Sequence, residues 1–429
     1  MHHAARYRAP MRFLLACLIV LVSGSDVSRF FASRGDSSAA GTFYALFNGK
    51  TLTSSYGIGA ATRTAGTWAE YGSNPVLEVG TSGAWDDAHV KDPCLLWDGT
   101  QYVMYYAGHD GTSYRIGRAT ASAHTGPWTK YLGNPVLDLG AGGAFDDVSV
   151  AFPTVYDEGV AGAKRYKMWY YANDSANETI GYAYSSDGIS WTKVGQVIAQ
   201  GSGGTWYDEG LLPGAIFKEA GTYYLFAGGQ QDPTINKWQG GVWSFTDPEG
   251  VYTAAGGNPT MLARFNDANF SQTLDADPSP GATVVDIPTP SAFSVGEPVV
   301  IADGDTTAEN FYLVTVGAST VTLDHAITGT FSGGGARFRS FASVSVVPRS
   351  VLARSGGGYE AFVSVFQPVE DLTQPASKLW EGSMEMRATT LTGAWTYYYV
   401  AGRGLLFPLS IGAAWHTRSA ENPSVIAAP

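Results

Sequence analysis

Apolar positions in this chain come in short runs of four to eight residues, not at the three-to-four spacing of an amphipathic helix. The runs are rich in Val, Tyr and Ile, and Gly, Asp, Asn and Pro separate them, which predicts a meander of strands. The runs also recur. Asn74-Pro75-Val76-Leu77 is followed by Gly83-Ala84-Trp85-Asp86-Asp87, Asp92-Pro93-Cys94-Leu95-Leu96 and Tyr102-Val103-Met104-Tyr105-Tyr106. About sixty residues on, the same order returns as Asn134-Pro135-Val136-Leu137, Gly143-Ala144-Phe145-Asp146-Asp147, Pro153-Thr154-Val155 and Tyr166-Lys167-Met168-Trp169-Tyr170. A looser third copy runs from Gly204-Thr205-Trp206-Tyr207-Asp208-Glu209 through Pro213 to Tyr223-Tyr224-Leu225-Phe226.

Each copy closes on an aromatic turn, at Trp128, Trp191 and Tyr252, and Gly66-Thr67-Trp68 and Gly393-Ala394-Trp395 supply two more. Four strands per repeat make a blade that buries its faces on its neighbours. The pattern therefore predicts an all-β, five-bladed β-propeller. Ala414-Trp415-His416-Thr417 with Asn422-Pro423-Ser424-Val425-Ile426 matches Ala84-Trp85-Asp86-Asp87 with Asp92-Pro93-Cys94-Leu95-Leu96. The C-terminal tail is thus expected to be an inner strand without outer strands. The stretch from Thr42 to Trp68 is expected to be outer strands without an inner one. Joining them closes the ring and removes exposed sheet edges. Residues 271–340 break the period with runs such as Pro298-Val299-Val300-Ile301 and Thr320-Val321-Thr322-Leu323. They read as a small inserted β module, which resembles short β modules of phage virion proteins. The propeller then spans residues 26–270 and 341–429.

Residues 1–25 read as a secretory signal, with Arg6, Arg8 and Arg12 ahead of the apolar run Phe13 to Val22 and small residues at Ser23-Gly24-Ser25. Ten apolar residues are too few to span a bilayer as a helix. The expectation is a secreted, extracellular protein without membrane association once the signal is removed, or else one on a virion or cell surface. Cys17 and Cys94 are the two cysteines, so there is no disulfide framework and no Cys-rich zinc site. A formal net charge of −12 disfavours nucleic acid as a partner and is compatible with a neutral polysaccharide. No phosphate-binding Gly loop, nucleophile elbow or HExxH motif is present. Asn173, Asn177 and Asn269 open glycosylation sequons, which matter only in a eukaryotic secretory pathway.

In a propeller, the loops that lead into the inner strands bring polar residues together at one end of the axis. Those loops hold Asp86, Asp87, His89 and Asp92, then Asp146, Asp147 and Ser149, then Asp208 and Glu209, then His416, Arg418 and Glu421. Asp86 and Asp146 recur at one repeat position and read as turn caps. Counting back from Pro213, the counterparts of Glu209 are His89, Ser149 and Ser419, so Glu209 breaks the repeat and is the better functional candidate. Trp85, Trp206 and Trp415 are candidates to stack on sugar rings, with packing between blades as the alternative. His89 and His416 are candidates to bind an axial cation or to orient a carboxylate, or are hydrogen-bonded structural His residues. Arg418 is a candidate to hold a substrate hydroxyl or to lower a neighbouring carboxylate's pKa, or is a solvated surface residue.

Asp92-Pro93 before an apolar strand, Asp98-Gly99 and Tyr102 to Tyr106 resemble the first blade of glycoside hydrolase family 43 and its relatives. Glu209-Gly210 with Pro213, Ile216-Phe217-Lys218 and Gly221 to Phe226 resemble that clan's acid-bearing blade. The resemblance covers most of residues 37–270 and 341–429. It implies cleavage of arabinosyl or xylosyl linkages by general acid–base catalysis, with the base on Asp92, an auxiliary aspartate on Asp147 and the acid on Glu209. Such chemistry needs one carboxyl kept protonated for the leaving oxygen and one ionised to activate water. Two positions depart from the family. Glu209 stands farther from its proline than the family's acid does, and Phe152 stands where an acidic residue is expected. No cofactor is required. Some relatives carry an axial calcium ion, and no ligand set in this chain specifies one. The other reading is a non-catalytic, glycan-binding propeller on a virion or cell surface.

Overall fold

The computed structural model describes residues 42–50, 55–64, 67–232, 237–261, 271–302, 308–331, 335–340, 345–354, 357–366, 381–397 and 420–427. The leader at residues 1–25 lies outside them. The described chain is all-β apart from one 3-10 turn at Pro290–Ala292. It opens with β1 (Phe43–Lys50), β2 (Tyr56–Thr64) and β3 (Thr67–Glu70). The first full repeat gives β4 (His89–Trp97), β5 (Tyr102–His109), β6 (Tyr114–Ala121) and β7 (Thr129–Lys130). The second gives β8 (Ser149–Asp157), β9 (Tyr166–Asn173), β10 (Glu178–Ser185) and β11 (Thr192–Ile198). The third gives β12 (Gly210–Glu219), β13 (Thr222–Asp232), β14 (Lys237–Phe245) and β15 (Thr253–Ala254). Then come β16 (Ser271–Thr273), β17 (Val284–Asp286), β18 (Pro298–Ala302), β19 (Ala308–Val316), β20 (Thr320–Leu323) and β21 (Arg337–Ser340). The chain ends with β22 (Ser345–Ala353), β23 (Tyr359–Phe366), β24 (Glu381–Ala388), β25 (Thr396–Tyr397) and β26 (Ala420–Ala427).

These strands form five four-stranded antiparallel sheets and one six-stranded sheet. Strands β4–β7, β8–β11, β12–β15 and β22–β25 each make one sheet, and β26 joins β1–β3 in the fifth. Strands β16–β21 make the sixth, around their own apolar cluster that includes Phe293, Phe311 and Phe338.

The second strands of the repeat sheets are mostly apolar because both of their faces are covered. Along β5, Val103 and Tyr105 enter one cluster, with Met168 and Tyr170 of β9. Met104 and Tyr106 enter the other, with Leu46 of β1 and Ile58 of β2. Successive side chains of a strand point to opposite faces, so one strand serves two junctions. Five such clusters occupy the junctions between consecutive four-stranded sheets. Each fully buried Phe or Met in them contributes about 2 kcal/mol. The closing aromatics hold their turns by hydrogen bonds four residues back, from Trp128 to the His124 carbonyl and from Tyr252 to that of Pro248.

The inner strands β4, β8, β12, β22 and β26 touch one another in that order, and β26 touches β4. Their pairing with the next strand slips by one residue at Lys91/Cys94, Ala151/Thr154, Pro213/Ala215 and Pro348/Ser350. A bulge suits proline, which has no N–H to place in a ladder. Asp92 and Phe152, each preceding its proline, take left-handed φ values of 54° and 48°. Just past the prolines, side chains tie each inner strand to the next. Leu95 N–H donates to Ser424 Oγ (2.8 Å), Val155 N–H to Cys94 Sγ (3.3 Å) and Val425 N–H to Ser350 Oγ (2.9 Å). Thr154 Oγ1 donates to the Gly214 carbonyl at 3.5 Å. Between β12 and β22 the backbones come too close for any side chain: a Cβ on Gly214 would lie 1.8 Å from the Pro348 carbonyl oxygen.

The turns ahead of the inner strands correct the reading of Asp86 and Asp146 as caps. The caps are their successors: Asp87, Asp147 and Asp208 accept the N–H of Gly83, Gly143 and Gly204 at 2.7, 2.6 and 2.5 Å. Asp86 and Asp146 are buried partners of the outer strand's lysine. Lys130 Nζ stands 2.6 Å from Asp86 Oδ2, which also accepts from Tyr106. Lys193 Nζ stands 2.7 Å from Asp146 Oδ2, which accepts from Tyr170. In the third repeat the pair is replaced as a unit. Tyr207 stands for the aspartate, Ala254 for the lysine, and Trp243 for Ala119 and Ala183, with the Tyr207 and Trp243 rings edge-on at 5.7 Å.

Two stability predictions follow from this packing. Gly214→Ala forces the Pro348 carbonyl aside and lowers unfolding free energy by roughly 3 kcal/mol. Exposed Gly142, where an added Cβ meets nothing within 4 Å, accepts alanine within about 0.5 kcal/mol. Asp146→Ala leaves the Tyr170 hydroxyl without its acceptor and Lys193 with only the Asp138 carbonyl, and costs about 3 kcal/mol. Asp146→Ala with Lys193→Ala costs less than the sum of the two by about 1 kcal/mol or more. Denaturant unfolding of the variants measures both.

Candidate functional site

The repeat places the starts of the inner strands, the ends of the second strands and the starts of the third strands at one end of the molecule, the front. In the first repeat this follows from the pairing of His89 with His109 and of His109 with Tyr114. In the second repeat the corresponding residues are Ser149, Asn173 and Glu178.

The His89 and His109 rings stack at 5.5 Å, and His109 lies 4.2 Å from the Tyr114 ring. Tyr56 N–H donates to His89 Nδ1 at 3.4 Å, which puts the ring proton on Nε2. Burial lowers the His109 pKa and so favours its neutral form. The expected roles of His89 thus resolve to a hydrogen-bonded, stacked His in the wall of the front end.

Asp92 lies deeper, at the level of the prolines. Its side chain is 2% exposed. Asn48 on β1 holds it twice, donating from Nδ2 to Asp92 Oδ1 (3.2 Å) and accepting the Asp92 N–H at Oδ1 (2.7 Å). The Lys91 ammonium is 3.8 Å from Asp92 Oδ2 and stands 4.6 Å over Tyr114 and 5.4 Å from the Phe152 ring. Arg349 approaches the same Phe152 ring at 4.6 Å. Asp92, Phe152, Thr154, Gly214 and Arg349 line an axial pocket of about 20 Å³. That is room for one water and not for a sugar ring. At the residue before the proline, the other inner strands carry Phe152, Leu212, Val347 and Asn422, so this level holds a single carboxylate.

Glu209 is exposed, and its N–H donates to the Gln230 carbonyl at 3.0 Å. The same bond is made by Ala88 to His109 and by Val148 to Asn173. Strand pairing therefore matches Glu209 with Ala88 and Val148, one step back from the His89 and Ser149 found by counting from the proline. The segment between the turn aspartate and the proline is one residue shorter in the third repeat. Glu209 still breaks the repeat, placing an acid where two other sheets have an apolar residue. It does not line the Asp92 pocket.

Asp147 is a correction. Its carboxylate closes the turn at Gly143, as Asp87 and Asp208 do at theirs, so it belongs to the scaffold of the repeat. Trp85 and Trp206 are also taken up by packing. An added Cβ on Gly108 or Gly117 would lie 2.4 or 2.6 Å from the Trp85 indole, and on Gly229 or Gly241 2.4 Å from that of Trp206. These glycines cradle the indoles, and both tryptophans remain partly exposed. Trp415, His416 and Arg418 lie outside the described residues.

Glu178, the first residue of β10, escaped the sequence reading because it sits inside the Asn177-Glu178-Thr179 sequon. Burial raises its carboxyl pKa against the opposing effect of a hydrogen bond with Tyr171. Its N–H donates to Gln200 Oε1 at 2.8 Å, and Gln200 Nε2 donates to the Asp208 carbonyl at 2.5 Å. The corresponding strands begin with Tyr56 in β2, Tyr114 in β6, Lys237 in β14 and Glu381 in β24, so the repeat alone does not single out this position.

At the opposite end of the axis, a cavity of about 560 Å³ is lined by residues that follow the prolines, among them Leu96, Val155, Ile216, Val351 and Ile426. Its one carboxylate among the described residues, Asp157, accepts two hydrogen bonds from the Arg165 guanidinium. The other candidate carboxylates among the described residues, Asp92, Glu178 and Glu209, are toward the front. Among the described residues, no three His, Cys, Asp or Glu side chains converge as metal ligands.

No family model matches the chain. Two uncharacterised proteins from two strains of Mycobacterium tuberculosis are 26% identical over 166 residues, which is 36% of this chain and 52% of each relative. The chain thus spans about half the length of the curated relatives it matches. Among solved structures, the chain is similar to an endo-1,4-β-xylanase from Bacteroides thetaiotaomicron (TM-score 0.47, 10% identity, 86% of this chain and 97% of that one). It is also similar to a thermostable family-43 glycoside hydrolase (TM-score 0.41, 15% identity, 70% and 97%). A third is a glycosyl hydrolase from Bacteroides ovatus (TM-score 0.42, 15% identity, 76% and 80%).

Proposed function

We propose that this protein is an exported glycoside hydrolase that cleaves a polysaccharide or oligosaccharide, with arabinosyl or xylosyl linkages as its targets, by general acid–base catalysis. The scaffold is a five-bladed propeller closed by pairing the last strand with the first, and the chemistry is at its front end. Asp92 is the base. The acid comes from the shoulder where β10 meets β12, which carries Glu209. The observation that carries this reading is the placement of Asp92. It stands at the axis, fixed by two hydrogen bonds with Asn48 of another sheet, with the Lys91 ammonium 3.8 Å away. The reaction requires no cofactor.

Sugar release from plant, algal and bacterial polysaccharides tests the proposal. The wild type is expected to release reducing sugar from at least one polymer, and Asp92→Asn to lower the rate at least about 100-fold. Asparagine preserves the hydrogen bonds to Asn48, so thermal unfolding of the variant stays near wild type. A wild type that binds a polymer and releases nothing from it contradicts catalysis and makes the protein a glycan-binding propeller.

A further inference from the structure

The resemblance to known glycosidases points to Glu209 as the acid; the structure points to its neighbour in space. We propose that Glu178 is the proton donor of the hydrolysis described above, an inference that rests on that reading.

The geometry begins at Gly210. By strand pairing this residue matches His89 and Ser149, so two other sheets carry a side chain here. In β12 a Cβ would lie 2.5 Å from Glu178 Oε2 and 3.5 Å from Gln230 Oε1. The glycine leaves the room that the Glu178 carboxylate occupies, one residue from Glu209. Gln200 fixes the same junction through the backbone, joining the Glu178 N–H to the Asp208 carbonyl. Glu178 thus stands on the second repeat and reaches the start of the third inner strand, at the front end.

The surroundings suit an acid. Tyr171 on β9, the titratable group hydrogen-bonded to Glu178, has its own pKa raised by burial and by the Glu178 charge. It stays a phenol through the neutral range and orients the carboxyl. Across the gap stand Gly210 of β12 and the neutral amide of Gln230 on β13, and beside Gly210 the exposed carboxylate of Glu209. Burial raises the Glu178 carboxyl pKa, so a larger share of it is protonated than of an ordinary glutamate. Among the described residues, what acts on the Glu178 carboxyl is burial and the Tyr171 hydroxyl, not a cation.

The step balances simply. The Glu178 O–H proton passes to the glycosidic oxygen as the C1–O bond breaks with its electron pair going to that oxygen. Water forms the new C1–O bond and gives its proton to a carboxylate base. Two hydroxyl-bearing sugars leave, and solvent reprotonates Glu178.

The test compares wild type, Glu178→Gln and Glu209→Gln on xylo- and arabino-oligosaccharides and on the matching 2,4-dinitrophenyl glycosides, whose leaving group needs no proton. Glu178→Gln is expected to lower oligosaccharide turnover by roughly 100- to 1,000-fold and dinitrophenyl glycoside turnover by less than about tenfold, and to erase the basic limb of the pH profile of kcat/KM. Glutamine still accepts from Tyr171, and it removes a carboxyl whose raised pKa costs folding stability as pH rises through it. Thermal unfolding at neutral pH should therefore be unchanged or higher. An active wild type whose Glu178→Gln variant keeps its oligosaccharide rate, or in which Glu209→Gln shows the leaving-group signature instead, overturns the assignment to Glu178 alone. A wild type inactive on every substrate overturns the hydrolase reading and this assignment with it.

Discussion

The structure depends on what happens to the inner edge of each inner strand. A strand that faces an axis leaves backbone groups without a ladder partner, and buried orphan N–H and C=O groups are costly. Here the residues just past each bulge proline settle that problem. Ser424, Cys94 and Ser350 each accept a backbone N–H of the following inner strand, and Thr154 donates to a carbonyl. Where no side chain can intervene, Gly214 lets its strand approach the Pro348 carbonyl directly. The thiol of Cys94 is bound into this belt, and burial pushes its pKa up to about 11, so it is structural rather than nucleophilic.

That belt also separates two ends with different chemistry. Behind it the inner strands enclose a largely apolar cavity. In front of it the strand ends and loops bring in carboxylates, imidazoles, phenols and the Lys91 ammonium. The candidate residues stand at positions that vary from sheet to sheet. Asp92 stands where its neighbour has Phe152, Glu209 where two sheets have Ala88 and Val148, and Glu178 where β2 and β6 have tyrosine and β24 has Glu381. Residues that keep the repeat, such as Trp85, Asp147 and the lysine–aspartate pairs, are taken up by packing and turns.

The strands and their sheets were legible in the sequence because alternation and turn residues act over a few positions. The match between the tail at Asn422 to Ile426 and the inner strand at Asp92 to Leu96 foretold that β26 would pair outside its own neighbourhood, and it pairs with β1. Single-residue questions were not legible. Asp86 and Asp87 are adjacent acids, and only the fold tells which one closes the turn and which one meets Lys130. The counterpart of Glu209 depends on where a bulge falls relative to a proline. The setting of Glu178 depends on Gly210, thirty-two positions away in the chain, whose missing side chain means nothing until the two strands are seen side by side.

The most direct test of this account is a crystal structure of Glu178→Gln with a bound xylo- or arabino-oligosaccharide. The account predicts a sugar chain across the front end, with a glycosidic oxygen within hydrogen-bonding distance of the residue-178 amide and Asp92 on the other side of the cleaved bond. A sugar lodged in the apolar cavity behind the prolines, or on the outer strands, would contradict it.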